Sequence, residues 1–259
     1  MLSIFDAIIL GLIQGVSEWL PISSSGHLII AQKLLGVNVP ILFDAALHLG
    51  SVIVIVVVYW KEIVKILRSL KNFNRNSEEG KTILFIIGGS IPTGLIGFIF
   101  LGYLESAFSN LLVAGATFVA TGVPLYLTKY SKHNREMSYT DSVLIGVAQG
   151  IAILPGASRS GWTISTGLLR NVKWEIAARY SFLLAIPAIL GANLLELKDA
   201  AIFQADLLPL TIAVAVTVVV GYATLRTLLK IIARGRFHLF SYYCWAIGIT
   251  ILAASIYLV

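Results

Sequence analysis

The chain has 259 residues, of which 58% fall in the hydrophobic set and 12% are charged, with a formal net charge of +6. A soluble domain carries about 45–50% apolar and about 25% charged residues, so a disordered chain is excluded and a soluble globule is disfavoured. Mean hydropathy is +0.88, and the length is better counted in membrane spans of about 20 residues each. The 19 Lys and Arg against 13 Asp and Glu are read as loop charge that sets orientation, not as a nucleic-acid surface. Cys244 is the one cysteine; it lies in an apolar run and permits no intrachain disulfide.

In chain order, residues 4–35 are apolar but interrupted by Gln14, Glu18, Pro21, three serines, Gly26 and His27. That pattern is no signal peptide, because a basic n-region is missing and polar groups stand where the apolar core should run. It suits two short helices joined by a broken turn, a re-entrant hairpin. A first span is predicted over 41–60, carrying Asp44 and His48, followed by a basic loop over 61–81. Spans over 82–104 and 111–128 come next, then a second basic loop over 129–141. Residues 142–171 form another interrupted apolar stretch, with Gln149, Pro155, Gly156, Ser158, Arg159, Ser160 and Gly161. The last three spans are predicted over 176–196, with Arg179 inside it, 207–228 and 239–258.

If the spans alternate and each hairpin returns to its own side, fifteen of the nineteen Lys and Arg gather on one side, in loops 61–81, 129–141 and 226–238 and at Arg170 and Lys173. The other side keeps Lys33 and Lys198, and Arg159 and Arg179 fall at membrane depth. The basic side is then cytoplasmic and both termini lie outside. The expected fold class is an all-α polytopic membrane protein with six transmembrane helices and two re-entrant helical hairpins.

The two hairpins are related. Gly11-Leu-Ile-Gln14-Gly15 matches Gly146-Val-Ala-Gln149-Gly150, and in each a proline and a serine cluster precede a glycine, Gly26 or Gly161. Phe43-Asp44-Ala-Ala-Leu-His48 aligns with Trp174-Glu175-Ile-Ala-Ala-Arg179, an acid and a base four apart in both. The chain therefore reads as one membrane domain of two repeats, 1–128 and 140–259, each a hairpin (4–35, 142–171) plus three spans. Three crossings change sides and a hairpin does not, so the second copy is inverted. Such architectures place their site near the midplane, where the repeats meet.

Ionisable groups at membrane depth are functional candidates because each carries an insertion penalty of roughly 2.5–3.5 kcal/mol. Gln14 and Glu18 are four apart and share a helix face. Pro21 stops that helix, and Ser23, Ser24, Ser25 and Gly26 form a turn that could cap the next. The second cluster, Pro155-Gly-Ala-Ser158-Arg159-Ser160-Gly-Trp-Thr163, sets hydroxyls and a guanidinium at another turn opening a helix. A helix N-terminus offers N–H groups to an anion, and arginine grips phosphate bidentately. Asp44, His48, Glu175 and Arg179 read either as support for that site or as helix-packing polar pairs.

At these clusters the chain resembles the undecaprenyl-diphosphate phosphatase family, the bacitracin-resistance proteins, over essentially its whole length. The resemblance rests on Gln14-Gly-Val-Ser-Glu18 as an (E/Q)-x-x-x-E motif, on Leu20-Pro21-Ile22-Ser23-Ser24-Ser25-Gly26-His27, and on Pro155-Gly156-Ala157-Ser158-Arg159-Ser160-Gly161-Trp162-Thr163. Gln14 stands where the family often has a second glutamate, which argues against a metal site of two carboxylates. The resemblance implies six spans with two re-entrant hairpins, and hydrolysis of a polyprenyl diphosphate to the monophosphate and phosphate, recycling the lipid carrier of cell-wall synthesis.

For that chemistry Arg159 is expected to hold the phosphoryl group, with Gln14, Ser23, Ser25, Ser158, Ser160 and Thr163 as further substrate-binding residues. Ser24 is the first choice of nucleophile with His27 as its base; a histidine nucleophile and an activated water are the alternatives. Glu18 either orients this pair or binds a divalent cation, Mg²⁺ or Ca²⁺. The expected partners are a polyprenyl diphosphate lipid and the bilayer of the cell membrane, with the site facing outside; a homodimer is compatible with the sequence. The rival reading is a flippase of a polyprenyl phosphate lipid, since inverted repeats with broken helices are also transporter architecture.

Overall fold

In a computed structural model, residues 2–199 and 207–257 are described, and the chain among them is helical, with an isolated bridge between Arg135 and Val172 in place of any strand. The helices are α1 (Ile4–Ser17), α2 (Ser24–Leu35), α3 (Ile41–Val58), α4 (Trp60–Ser69), α5 (Glu78–Ser109), α6 (Leu111–Leu127), α7 (Tyr139–Ile151), α8 (Arg159–Leu169), α9 (Trp174–Asp199), α10 (Leu207–Ala233) and α11 (Phe240–Tyr257). Helices α5, α6, α9, α10 and α11 are each long and apolar enough to cross a bilayer. A sixth candidate is α3 taken with α4, a pair that meets at a bend of 83° and of which α3 covers most of the predicted span. This is an all-α polytopic membrane protein, with five spans among the described residues, or six where that pair counts as one; residue 258, the predicted end of the last, lies outside the described residues.

One prediction changes. The segment 61–81, expected as a loop, contains α4 and the first turn of α5. Apolar residues at Trp60, Ile63, Val64 and Leu67 keep the helical period after α3 has ended. Ser77 then caps α5, its Oγ accepting from Gly80 N at 3.0 Å, with Glu78 and Glu79 in the first turn.

The two interrupted segments are helical pairs that fold back on themselves. Helix α1 opens with a capping box, Ser3 Oγ accepting from Asp6 N at 3.1 Å while the Asp6 carboxylate takes Ser3 N–H. Helix α7 opens with the same device from Ser138 and Asp141. Glu18 and Ala152 end the first arms, and Ser23 and Ser158 cap the returning arms by accepting from Gly26 N and Gly161 N. The foot of the first hairpin packs with Phe43 and Leu210, in the first turns of α3 and α10. The foot of the second is tied to the segment after α6, where Asn134 N and Arg135 N both donate to Asn171 O. Since α3, α5 and α6 cross three times in between, the hairpins enter from opposite ends.

Asp141 secures that second foot, outside the spans. It takes both guanidinium nitrogens of Arg135 at 2.7 Å and Arg170 Nε at 2.9 Å. Burial by itself would raise this carboxyl, but the bonds from Arg135, Arg170 and Ser138 hold it well below the usual carboxylate range.

Packing of the hairpins is reciprocal. Helix α1 runs along α10 as α7 runs along α5, and α6 pairs with α11. The matched glycines explain the fit. A Cβ on Gly11 would stand 2.5 Å from Ala213 O, and one on Gly146 would stand 2.2 Å from Gly89 O. In each contact a threonine of the long helix donates to the glycine carbonyl: Thr217 to Gly11 O at 3.2 Å, and Thr93 to Gly146 O at 2.8 Å. Lipid tails are as apolar as the helices, so close backbone approach and interhelical hydrogen bonds must supply the association.

Beneath the first tip an aromatic stack fills the core. Trp19 lies edge-on to Phe182 with centroids 5.6 Å apart, and Phe182 stacks on Tyr59, at the α3–α4 bend, at 6.3 Å.

Gly146→Ala should push α7 off α5 and destabilise the protein by about 2 kcal/mol, in the usual range for overpacking. Gly94→Ala on α5, where a Cβ would meet nothing within 4 Å, should be neutral or stabilising. Thermal unfolding of the two variants in one detergent checks the contrast, and equal melting temperatures would contradict the close-approach account.

Candidate active site

Both tips end against the middle of α6. Thr117 Oγ1 donates to Pro155 O, Phe118 lies where a Cβ on Gly26 would clash at 2.5 Å, and Thr121 Oγ1 accepts from Ser158 N at 3.4 Å. The N-termini of α2 and α8 therefore converge inside the bundle, where their free N–H groups favour an anion.

Glu18 is the centre of the cluster. Its carboxylate is 6% exposed and Arg159 is 15% exposed, and Arg159 Nη2 donates to Glu18 Oε1 at 2.6 Å. The other oxygen, Oε2, accepts from Ser24 Oγ at 2.6 Å and from Gln14 Nε2 at 3.2 Å. His48 Nε2, from α3, approaches the same oxygen at 3.7 Å. The helical step from Gln14 to Glu18 puts these two on one face, and the turn after Glu18 carries Ser24 back across it. Ser51 of α3 accepts from Gln14 Nε2 at 3.4 Å. Of the cluster's own buried atoms among the described residues, Gln14 Oε1 and Arg159 Nη1 have no hydrogen-bond partner. A guanidinium with one nitrogen on a carboxylate and the other unpaired is a half-filled clamp.

The remaining predicted residues divide. Ser23 adopts φ +69°, a left-handed conformation that strains a serine, and caps α2. Ser25 Oγ lies 3.4 Å from Ser23 Oγ, and Ser160 Oγ lies 3.3 Å from Ser158 Oγ, so both pairs stay at the tips. Thr163 turns away, bonding Arg159 O at 2.7 Å and Ser181 Oγ on α9 at 2.5 Å. Glu175 is exposed, and Arg179 lies 3.6 Å from Glu78 near the starts of α9 and α5, so neither reaches the cluster that His48 joins. Asp44 accepts from Gln32 Nε2 at 3.0 and 3.1 Å, while His48 Nδ1 meets the Asp44 backbone oxygen at 2.8 Å.

Ser24 has a different partner from the one expected. Its hydroxyl donates to Glu18, whereas His27 is held elsewhere. His27 Nδ1 meets Ser23 O at 2.7 Å, which makes it the protonated nitrogen, and Nε2 meets Tyr243 OH at 2.7 Å. The phenol ring also stacks on the imidazole, 15° from parallel, with Phe118 edge-on from the other side. Tyr243 is the site residue that sequence reasoning missed. It lies in the first turn of α11, inside a predicted span, where a tyrosine carries no local signal. The neighbouring Cys244 thiol donates to Pro21 O at 3.2 Å, so two consecutive residues of α11 grip the first tip.

Among the described residues no three His, Cys, Asp or Glu side chains gather as a ligand group. One carboxylate, Glu18, and one unpartnered amide oxygen, Gln14 Oε1, fit a cation that arrives with phosphate oxygens and keeps its waters, as Mg²⁺ commonly does.

These features define a polytopic helical membrane protein whose buried polar cluster is built between two re-entrant hairpins. A family profile described as bacitracin resistance protein BacA matches residues 7–250, and the chain belongs to that family. It is 42% identical to a protein from Halothermothrix orenii named undecaprenyl-diphosphatase, across 97% of this chain and 98% of the relative. Proteins of the same name from Methanosphaera stadtmanae and Korarchaeum cryptofilum are each 37% identical, covering 100% and 97% of this chain and 100% and 99% of their own lengths.

Arg159→Lys keeps the charge but loses the planar fork. Turnover should fall roughly 100-fold or more, as when an aligned donor is removed, with the unfolding temperature little changed. Tyr243→Phe keeps the stack and removes the hydroxyl from His27; turnover should fall roughly tenfold with KM unchanged, the usual scale for an outer hydrogen-bond partner. Steady-state phosphate release by each purified variant checks both, and wild-type kinetics in either would remove that residue from the site.

Proposed function

We infer that this chain hydrolyses undecaprenyl diphosphate to undecaprenyl monophosphate and inorganic phosphate. The observation that carries the reading is the buried, unpartnered Arg159 Nη1 beside a serine hydroxyl already bonded to a carboxylate. Phosphoryl transfer needs in-line positioning and charge stabilisation above all. Arg159 supplies the charge, and the N-termini of α2 and α8 supply N–H groups. Ser24 Oγ attacks the terminal phosphorus while its proton passes to Glu18 Oε2. The bond from that phosphorus to the bridging oxygen breaks, and the lipid monophosphate leaves. Water then attacks the phosphorus, the Ser24 Oγ–phosphorus bond breaks, Glu18 returns its proton to Ser24 Oγ, and the water's oxygen and protons leave in the inorganic phosphate. His27, clasped between Ser23 O and the Tyr243 hydroxyl, holds the first turn of α2, which carries Ser24, in place. A divalent cation held by Glu18 and Gln14 Oε1 would supply further neutralisation of the diphosphate.

The repeat boundaries at 1–128 and 140–259 belong to the same reading, supported by the reciprocal packing of the hairpins. The basic segments 61–81, 129–141 and 226–238 favour a cytoplasmic location for that end of the bundle. The site then opens outward. In support, the polar side chains that lead away from Glu18 are His48, 29% exposed, then Asp44 and Gln32, toward the first turn of α3.

Phosphate release by the detergent-purified protein from polyprenyl diphosphates of several lengths tests the activity; a pure lipid flippase releases none. In that assay Glu18→Gln should be severely impaired, by roughly 100-fold or more, and Gln14→Ala less so, because only Glu18 can take the serine proton. Rates that ignore both chelator and added Mg²⁺ or Ca²⁺ would remove the cation and leave Glu18 acting on the proton alone.

Sidedness is tested with Asn38→Cys, between α2 and α3, and Lys132→Cys, after α6; both positions are exposed, and the native Cys244 is buried. A membrane-impermeant thiol reagent on intact cells should label position 38 and spare position 132. The reverse pattern would invert the orientation.

A further inference from the structure

Helix α4 takes no part in the site, yet among the described helices it is the most strongly two-faced. It begins where the α3 span ends and turns 83° away from it, so it runs along the membrane plane at the end of the bundle. One side of α4 is apolar. Ile63 and Ile66 pack against the main core, while Trp60, Leu67 and Leu70 are 59, 58 and 54% exposed. An interfacial tryptophan is a common anchor at headgroup depth. On the opposite side Lys61, Lys65 and Arg68 recur at helical spacing, and all three are exposed. Among the described residues no ion pair claims any of them.

We propose that α4 is a docking surface for anionic phospholipid headgroups of the leaflet it lies in, with Trp60, Leu67 and Leu70 dipping into the acyl boundary and Lys61, Lys65 and Arg68 bonding lipid phosphates. Geometry and charge agree on this occupant. A helix parallel to the membrane plane places its apolar half at the hydrocarbon edge and its basic half among phosphates. Juxtamembrane lysines and arginines attract anionic lipid over a Debye length. A protein partner would have to displace lipid from the apolar half and supply acids to the basic half.

The full chain is reconstituted in vesicles of equal parts phosphatidylcholine and phosphatidylglycerol, then re-extracted, and its bound lipids are counted by native mass spectrometry. Wild type should retain phosphatidylglycerol enriched roughly threefold over the vesicle ratio. Lys61→Gln/Lys65→Gln/Arg68→Gln should fall to near that ratio without a change in unfolding temperature. The exchange Lys65→Leu/Leu67→Lys keeps composition and net charge but breaks both faces, and it should lose the enrichment as well. Equal enrichment in all three proteins overturns the proposal. Enrichment kept by the exchange variant overturns it too, because net charge alone would then be sufficient. Depth is read independently from the fluorescence lost in Trp60→Phe: that component should be quenched by lipids brominated on the acyl chain. An unquenched Trp60 would put the apolar half away from lipid and leave the face to a protein.

Discussion

The ion pair between Glu18 and Arg159 joins the two hairpins, and much else depends on it. Each residue sits at a tip that enters from an opposite end of the bundle, so the pair exists only when both hairpins are fully inserted. A buried carboxylate or guanidinium left alone at this depth would be strongly destabilising. Together, at 2.6 Å, they neutralise one another and still leave capacity: one carboxylate oxygen for Ser24, and one guanidinium nitrogen unpaired. The same contact thus makes burial tolerable and holds the site ready for an anion.

Bringing charged tips to mid-bundle requires the hairpin helices to lie close against long spans, without water or a hydrophobic drive to press them there. Small residues meet that requirement. Gly11 and Gly146 bring backbone onto backbone, and Thr217 and Thr93 turn the contact into hydrogen bonds with the glycine carbonyls. The tips themselves are finished by serine caps and by the strained φ of Ser23. Broken backbone at this depth is tolerated because every turn is enclosed by protein.

The two hairpins share a frame and differ in what they carry. Where the first has Ser24 after its cap, the second has Arg159; where the first has His27, the second has Trp162, whose indole donates to Thr121 at 3.1 Å. Glu18 is answered by Ile153. One hairpin therefore supplies acid, hydroxyl and imidazole, and the other supplies the cation. Likewise His48 of the first copy enters the cluster while Arg179 of the second stays near the starts of α5 and α9, paired with Glu78. Divergence between related copies is what yields a site with two unlike sides.

The sequence by itself determined the class and most of the plan. Composition demanded a membrane, because so few charged residues cannot dress a soluble surface. Long apolar runs marked six spans, and Pro, Ser and Gly clustered with Glu18, His27 or Arg159 inside apolar stretches marked two hairpins, because local chemistry dictates where a helix must stop. The matched motifs also named Gln14, Glu18, Ser24, His27 and Arg159 as one constellation. What only the tertiary structure decided is who touches whom. That Ser24 faces Glu18 and not His27, that His27 is clasped by Tyr243, that Thr163 turns to α9 and that α4 bends away from its span all depend on contacts between segments far apart in the chain. Period and motif report a residue's place on its own helix. The partner across the bundle is set by how closely whole helices pack, and a lone tyrosine in an apolar helix gives no local sign of it.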